Sequence, residues 1–150
     1  MPTTIPDCNF ALESAGDDEF KRYLQGMINE HHETAYPAME VPQSRRFIIR
    51  VTDAQGQVVG GALFWAYWGW LDVSLVALEK QVRGRGVGRR LMAMIEAQAR
   101  EEGCTKLRVE TFGQELGFYQ HLGYRIVGQL EDYPEGHSYY WLRKDLEGEA

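Results

Sequence analysis

The residues best equipped for chemistry in this chain are Arg83-Gly84-Arg85-Gly86-Val87-Gly88-Arg89-Arg90. Glycines recur at every second position, so a turn there can bare several backbone N–H groups at once. An apolar, strand-like run ends at Leu78, and a helical repeat starts near Val87. A helix beginning there adds unpaired N–H groups and the positive end of its dipole. With four arginines around it, such a turn suits a phosphate or pyrophosphate. A solvated basic helix entrance would be the plainer role for a lone arginine pair. Here the glycine spacing, the preceding strand and the following helix agree on an anion site.

Two familiar phosphate-binding patterns fail on spacing. A P-loop requires four residues between its glycines and then Gly-Lys-Ser/Thr, which this chain lacks. A dinucleotide fingerprint, Gly-x-Gly-x-x-Gly, would need glycine where Arg89 stands. Glu110 does follow at the distance of a ribose contact, but too little chain remains after the loop for that fold's crossovers.

The elements that must position this turn are legible from periodicity. Residues 9–13 suggest a first strand, and Ser14 with Asp17 resembles a capping box for the helix that follows. Phe20, Tyr23, Leu24, Met27, Ile28 and His31 recur at helical spacing. Pro37 and Pro42 frame a loop. Phe47, Ile49 and Val51 open a strand, Asp53-Ala54-Gln55-Gly56 is a turn, and Val58 starts the return. Residues 60–78 carry one charge, Asp72, and are long enough to raise a membrane span. Three glycines, the cost of a carboxylate in lipid and the aromatic content favour two strands joined at Trp68-Gly69-Trp70 instead. Val87, Leu91, Met94 and Ile95 form a helical stripe stopped by Gly103. Leu107, Val109 and Thr111 alternate with charged residues as a half-buried strand. A short helix over 116–122 and strands over 124–130 and 138–142 complete the order. With no repeat or linker, this predicts a single α+β domain over residues 1–150, built on a mixed sheet.

Two segments together resemble a known family. Arg83-Gly84-Arg85-Gly86-Val87-Gly88 is similar to the Gln/Arg-x-x-Gly-x-Gly/Ala signature of the GNAT superfamily of acyl-coenzyme A N-acyltransferases. Gly117-Phe118-Tyr119-Gln120-His121-Leu122-Gly123-Tyr124 looks like that superfamily's Phe-Tyr-x-x-Leu-Gly-Phe/Tyr segment. Gly60-Gly61, Trp68-Gly69-Trp70 and Gly136-His137-Ser138-Tyr139-Tyr140 resemble a bacterial subgroup of it, with a slightly shorter stretch between Thr111 and Phe118 as a departure. The resemblance implies the GNAT fold: a mixed, mostly antiparallel sheet flanked by helices, splayed to admit acetyl-coenzyme A. It further implies that backbone N–H groups of residues 84–89 bind the pyrophosphate, that Val76 and Leu78 pair with the pantetheine amides, and that a backbone N–H near Leu78 steadies the thioester oxygen. Arg83 could add a guanidinium to the phosphates or serve in a surface salt bridge.

Acetyl transfer to an amine also needs an acid and a base. Tyr119 stands where the superfamily places a general acid, though an aromatic beside Phe118 and Tyr124 also suits a core. Asp72, at the same strand parity as Leu78, is a candidate base or an exposed strand carboxylate. Glu79 suits the surface, and Glu110 is a further candidate that could instead pair with Arg108 or Lys106. His31, near the end of the first helix, and His137, before the last strand, are candidates for the acceptor side; His31 also fits a packed or capping role. Trp65, Tyr67, Trp68 and Trp70 could wall an acceptor pocket or pack a sheet.

Composition narrows the partners. The net charge of −6 argues against a nucleic-acid binder and favours a cationic acceptor. No Cys/His cluster has metal-ligand spacing, so no metal is expected. Cys8 and Cys104 suit free thiols in a reducing cytoplasm, and Cys104 suits a small buried residue. The start, Met1-Pro2-Thr3-Thr4-Ile5, lacks the basic and apolar regions of a signal peptide. The expectation is therefore a cytoplasmic enzyme that acetylates a small-molecule primary amine, with no membrane partner and strand edges open to a homodimer. The alternatives are a non-catalytic acyl-coenzyme A sensor and an acetyltransferase of a protein amine.

Overall fold

The computed structural model describes residues 7–14, 16–35 and 44–146. The loop expected between Pro37 and Pro42 lies outside them. The chain divides into two compact units, Met1–Val41 and Pro42–Ala150.

The first unit contains helix α1 (Asp18–Ala35). Its cap is Asp17, whose Oδ1 accepts the Phe20 N–H at 2.9 Å, and not the expected Ser14. A capping side chain reaches N–H groups two or three residues ahead, so Ser14 stands too far upstream. Asp18 and Glu19 occupy the first turn, where the dipole favours acids. The strand expected over residues 9–13 does not form. Every ladder in the structure begins at Arg45 or later, and a strand exists only where a neighbour takes up its N–H and C=O groups.

The second unit runs β1 (Arg45–Thr52), β2 (Val58–Tyr67), β3 (Trp70–Leu78), α2 (Val87–Glu101), β4 (Lys106–Phe112), α3 (Gly113–His121), β5 (Arg125–Leu130) and β6 (Tyr139–Asp145). The strands form one sheet in the order β1-β2-β3-β4-β6-β5. Only β3 and β4 are parallel, and α2 makes the crossover between them. This is the expected mixed, mostly antiparallel α+β sheet. Residues 60–78 are indeed two strands. Trp68 and Gly69 join them with φ of 50° and 77°, the pair of positive angles that matches hairpin twist. Among the described residues, no helix is long and apolar enough to cross a membrane.

One sheet face packs on the helices. Phe64, Leu71, Val73, Leu107, Val109 and Leu142 meet Leu91, Met92, Ile95 and Ala99 of α2, with Tyr119 of α3 and Tyr124. Each fully buried aliphatic side chain contributes about 1.5–3 kcal/mol. Cys104 is buried here, and burial, then Glu102, raises its thiol pKa, so the thiolate a nucleophile needs is disfavoured.

Two irregularities shape the sheet. Gly60 and Gly61 have φ of 151° and 156°, and a Cβ would strike the Ala77 carbonyl oxygen at Gly60 and the Ile49 carbonyl oxygen at Gly61. Gly61→Ala is expected to lose at least about 1–3 kcal/mol from the strained φ alone. Urea unfolding measures this, and an unmoved midpoint would show that the strand relaxes.

The second irregularity is a bulge. Leu63 faces Leu75 while Phe64 faces Val73, so Ser74 has no opposite residue. One extra residue reverses the alternation of side chains. Leu71 and Val73 point into the core before it, and Val76 and Leu78 after it. Asp72 therefore faces away from the core, on the opposite face from Leu78. Sequence parity placed the two together; the bulge separates them.

Candidate functional site

The bulge also marks where β3 and β4 part. Their pairing runs only from Trp70↔Lys106 to Val73↔Val109, while β4 continues alongside β6 to Phe112. The Glu79 N–H bonds the Val59 carbonyl at 2.8 Å, on the β2 side. Strand alternation then turns the N–H and C=O of Val76 and Leu78 towards the gap, where no strand meets them among the described residues. This open backbone edge can accept an extended ligand as an added strand.

The edge leads directly to the glycine turn. A short 3-10 turn, Lys80–Val82, delivers the chain to Arg83. The Arg83 Nε donates to the Leu78 carbonyl at 2.8 Å, which ties the turn to the end of β3. Gly84 and Gly86 have φ of 75° and 81°, and Gly86 is the N-cap of α2 with no side-chain bond. The first helical bond is Arg90 N–H to the Gly86 carbonyl at 3.1 Å, so the N–H groups of Gly86, Val87, Gly88 and Arg89 precede the ladder. Gly88 has a different task. A Cβ there would lie 3.3 Å from the Phe118 ring, so its missing side chain lets α2 approach α3. Arg83, Arg85, Arg89 and Arg90 make no ion pair among the described residues. An unpaired arginine group around a bare helix N-terminus fits an anion.

Tyr119 lies on the core side of α3, edge-on to Phe118 at 5.1 Å and to Tyr124 at 5.7 Å. Burial, and then the nearby charge of Glu115, raises its phenol pKa above the ordinary value. No described residue hydrogen-bonds its hydroxyl, whereas Tyr124 donates to Glu96 Oε1 at 3.3 Å. Tyr119 is thus a protonated phenol at neutral pH, with no described residue holding its proton.

Asp72 lines a cavity of about 510 Å³ on the opposite sheet face, with Trp65, Tyr67, Trp68, Trp70 and Arg108. The four aromatics therefore do wall a pocket rather than fill the helix-covered core. Arg108 Nη2 holds Asp72 Oδ2 at 2.7 Å and reaches Glu110 Oε1 at 3.5 Å. Tyr139 donates to Glu110 at 2.9 Å, and burial with that bond pushes its phenol up to about 12. Glu110 is so built into the pairing with Arg108 that its sequence allowed.

His137 lines a second cleft of about 620 Å³, with Phe112, Gln114, Glu115, Ser138 and Tyr140. Its backbone is fixed on both sides, donating to the Pro134 carbonyl and accepting from Tyr133, each at 2.9 Å. His31 belongs to α1 of the first unit, where it is exposed and its ring lies 6.3 Å from that of His32. Glu115 is the cleft residue that sequence reasoning missed. The helix was expected from Leu116, yet α3 begins at Gly113, which brings Glu115 into register one turn before Tyr119. The signal was the i, i+4 spacing itself.

A profile of the acetyltransferase (GNAT) family matches residues 10–124. The chain is 39% identical over 112 residues to the blasticidin-S acetyltransferase of Streptomyces morookaense, covering 73% of this chain and 82% of that one. It resembles the crystal structure of an acetyltransferase from Bacillus cereus with a TM-score of 0.79 and 27% identity, over 91% of this chain and 98% of the other. A Bacillus anthracis chain solved in complex with acetyl coenzyme A shares the fold, with a TM-score of 0.62 and 19% identity over 68% of this chain and 64% of that one.

Proposed function

The chain belongs to the acetyltransferase (GNAT) family and is an acyltransferase, and from that premise we propose that it moves the acetyl group of acetyl-coenzyme A to a primary amine of a small molecule, by direct attack in a ternary complex. The observation that carries this reading is the open Val76–Leu78 backbone edge running into the bare N-terminus of α2. An extended pantetheine arm needs the first, and a pyrophosphate needs the second. The relative named for acting on blasticidin S supports a small-molecule acceptor.

In this reading the backbone of residues 84–89 (Gly84, Arg85, Gly86, Val87, Gly88 and Arg89) holds the pyrophosphate, and Arg83, Arg85 and Arg89 add positive charge. Val76 and Leu78 offer backbone groups to the pantetheine amides. A backbone N–H on the same edge, at Leu78, polarises the thioester oxygen, a contact of a kind worth about 2.7–4 kcal/mol. Tyr119 protonates the departing thiolate. His137 contacts the acceptor. Asp72 lines the aromatic pocket across the sheet from Leu78, where its pair with Arg108 holds the pocket wall.

Asp72→Asn is then expected to leave kcat/KM for the amine within about threefold of the wild type, because the carboxylate is tied to Arg108 on the far sheet face. A fall of about 10²-fold in the variant would make Asp72 the base. The family profile spans residues of both units, which supports one catalytic domain over 1–150. The free thiols Cys8 and Cys104 support a reducing cytoplasm, and the outer strands β1 and β5 offer edges for a homodimer.

The test is thiol release from acetyl-coenzyme A with a panel of primary amines. Turnover with at least one small amine is expected. Tight coenzyme A binding without turnover, for small amines and peptide amines alike, would favour a sensor of the cofactor. Turnover of peptide amines alone would move the acceptor to a protein.

A further inference from the structure

An acceptor amine arrives as an ammonium ion and must lose a proton before it can attack. Five carboxylates on and around the sheet are already committed. Asp72 and Glu110 are held by Arg108, Glu96 by Lys144, Glu102 by Arg45, and Asp145 by Arg125 and Arg143. Glu115 is different. It occupies the first turn of α3, lines the cleft of His137 and Tyr140, and pairs with no cation among the described residues. Its one side-chain neighbour in bonding range is Thr111, with Oγ1 3.5 Å from Oε2, at the long limit of a hydrogen bond. Tyr119 follows four residues later on the same helix, so the two side chains share a face. Their proximity is felt electrically, since the Glu115 charge adds to burial in raising the Tyr119 phenol.

We propose that Glu115 is a further catalytic residue, the carboxylate in the His137 cleft that receives the acceptor's ammonium, takes its proton and works as a pair with Tyr119. This rests on the acetyltransferase reading above. Asp72 can take that proton only by releasing Arg108; Glu115 needs no such opening.

Glu115 takes one proton from the ammonium and passes it to water. The neutral nitrogen forms a bond to the thioester carbonyl carbon, and the C–S bond breaks. Tyr119 gives its proton to the departing sulfur. The nitrogen, now carrying one proton too many for an amide, returns it through Glu115 to the Tyr119 oxygen. The net products are the amide, coenzyme A thiol and one proton in solution.

The experiment uses the full chain with Glu115→Gln and Glu115→Asp, assayed for thiol release with a panel of primary amines bearing one, two or three amino groups. Glu115→Gln is expected to lower kcat/KM for every accepted amine by about 10²-fold. Glu115→Asp should recover part of that, and the acetyl-coenzyme A KM should change by less than about twofold in both. In parallel, NMR of protein labelled at the tyrosine ζ carbons follows the Tyr119 signal, assigned by its loss in Tyr119→Phe. Its titration midpoint should fall in Glu115→Gln. A glutamine variant within about threefold of the wild-type rate overturns the proposal and leaves the acetyltransferase reading intact. An unmoved Tyr119 midpoint breaks the pair. A wild-type protein that binds coenzyme A but acetylates no amine removes both readings together.

Discussion

Replacing Tyr119 with phenylalanine is expected to lower kcat by about 10²–10⁴-fold, the usual contribution of a positioned general acid, with coenzyme A affinity nearly unchanged. The ring stays in place, edge-on to Phe118 and Tyr124, so packing survives. The hydroxyl has no hydrogen-bond partner among the described residues, so its removal leaves none unsatisfied, and Tm should hardly move. Energetics place the effect toward the lower end of the range. A phenol raised above 10 gives its proton uphill to an ordinary thiolate, whose acid has a pKa near 8.5, at a cost of at least about 2 kcal/mol. The transfer becomes favourable only where burial destabilises the thiolate too, or where the phenol is resupplied at once by the nitrogen. Steady-state kinetics of Tyr119→Phe against wild type measures the loss. An unaltered kcat would return Tyr119 to a core aromatic.

The second large effect is expected at Gly86. A Cβ added there meets nothing within 4 Å, so sterics with the rest of the fold do not enter. The φ of 81° is the whole cost. Valine, branched at Cβ, tolerates that region poorly, and the strain is about 1–3 kcal/mol. If the turn keeps its shape, Gly86→Val loses that amount of stability. If the turn relaxes, the N–H groups no longer converge, and the same free energy appears as a Kd for coenzyme A weaker by about 5–150-fold. Calorimetric titration of coenzyme A together with thermal unfolding separates the two. We expect the loss in affinity, because the turn is exposed and few contacts hold it. Wild-type affinity and stability in the same variant would remove the turn from cofactor binding.

Much of the fold was legible because its signals are local. Strand β3 begins and ends at the residues that alternation and the flanking turns indicated, and Gly103, with φ of 73°, ends the chain's second helix region as expected. The three missed features were of another kind. Residues 9–13 have strand composition, but composition does not supply a neighbouring strand. Ser14 and Asp17 both have capping side chains, and only the point at which the helix begins chooses between them. The short α3 starts earlier than its apolar residues suggested, because Gly113, Gln114 and Glu115 carry no apolar period to announce it.

The candidate site divides the same way. Gly84, Gly86 and the arginines declare an anion turn from their order in the chain, since φ preference and helix-terminal N–H groups depend on a few consecutive residues. The aromatic Phe118-Tyr119 segment is likewise local. Which face Asp72 occupies is not, because the bulge at Ser74 is set by how β3 registers against β2. Nor is its partner, since Arg108 reaches it only through the parallel pairing of β3 and β4. The gap that bares Val76 and Leu78 arises because β4 follows β6 while β3 follows β2. The role of Gly88 depends on Phe118, a residue on another helix. Backbone preference and periodicity act over a handful of residues, so the order of amino acids alone decided the elements and the cofactor turn. Register, strand separation and ion-pair partners depend on segments distant in sequence, and only the folded sheet decided those.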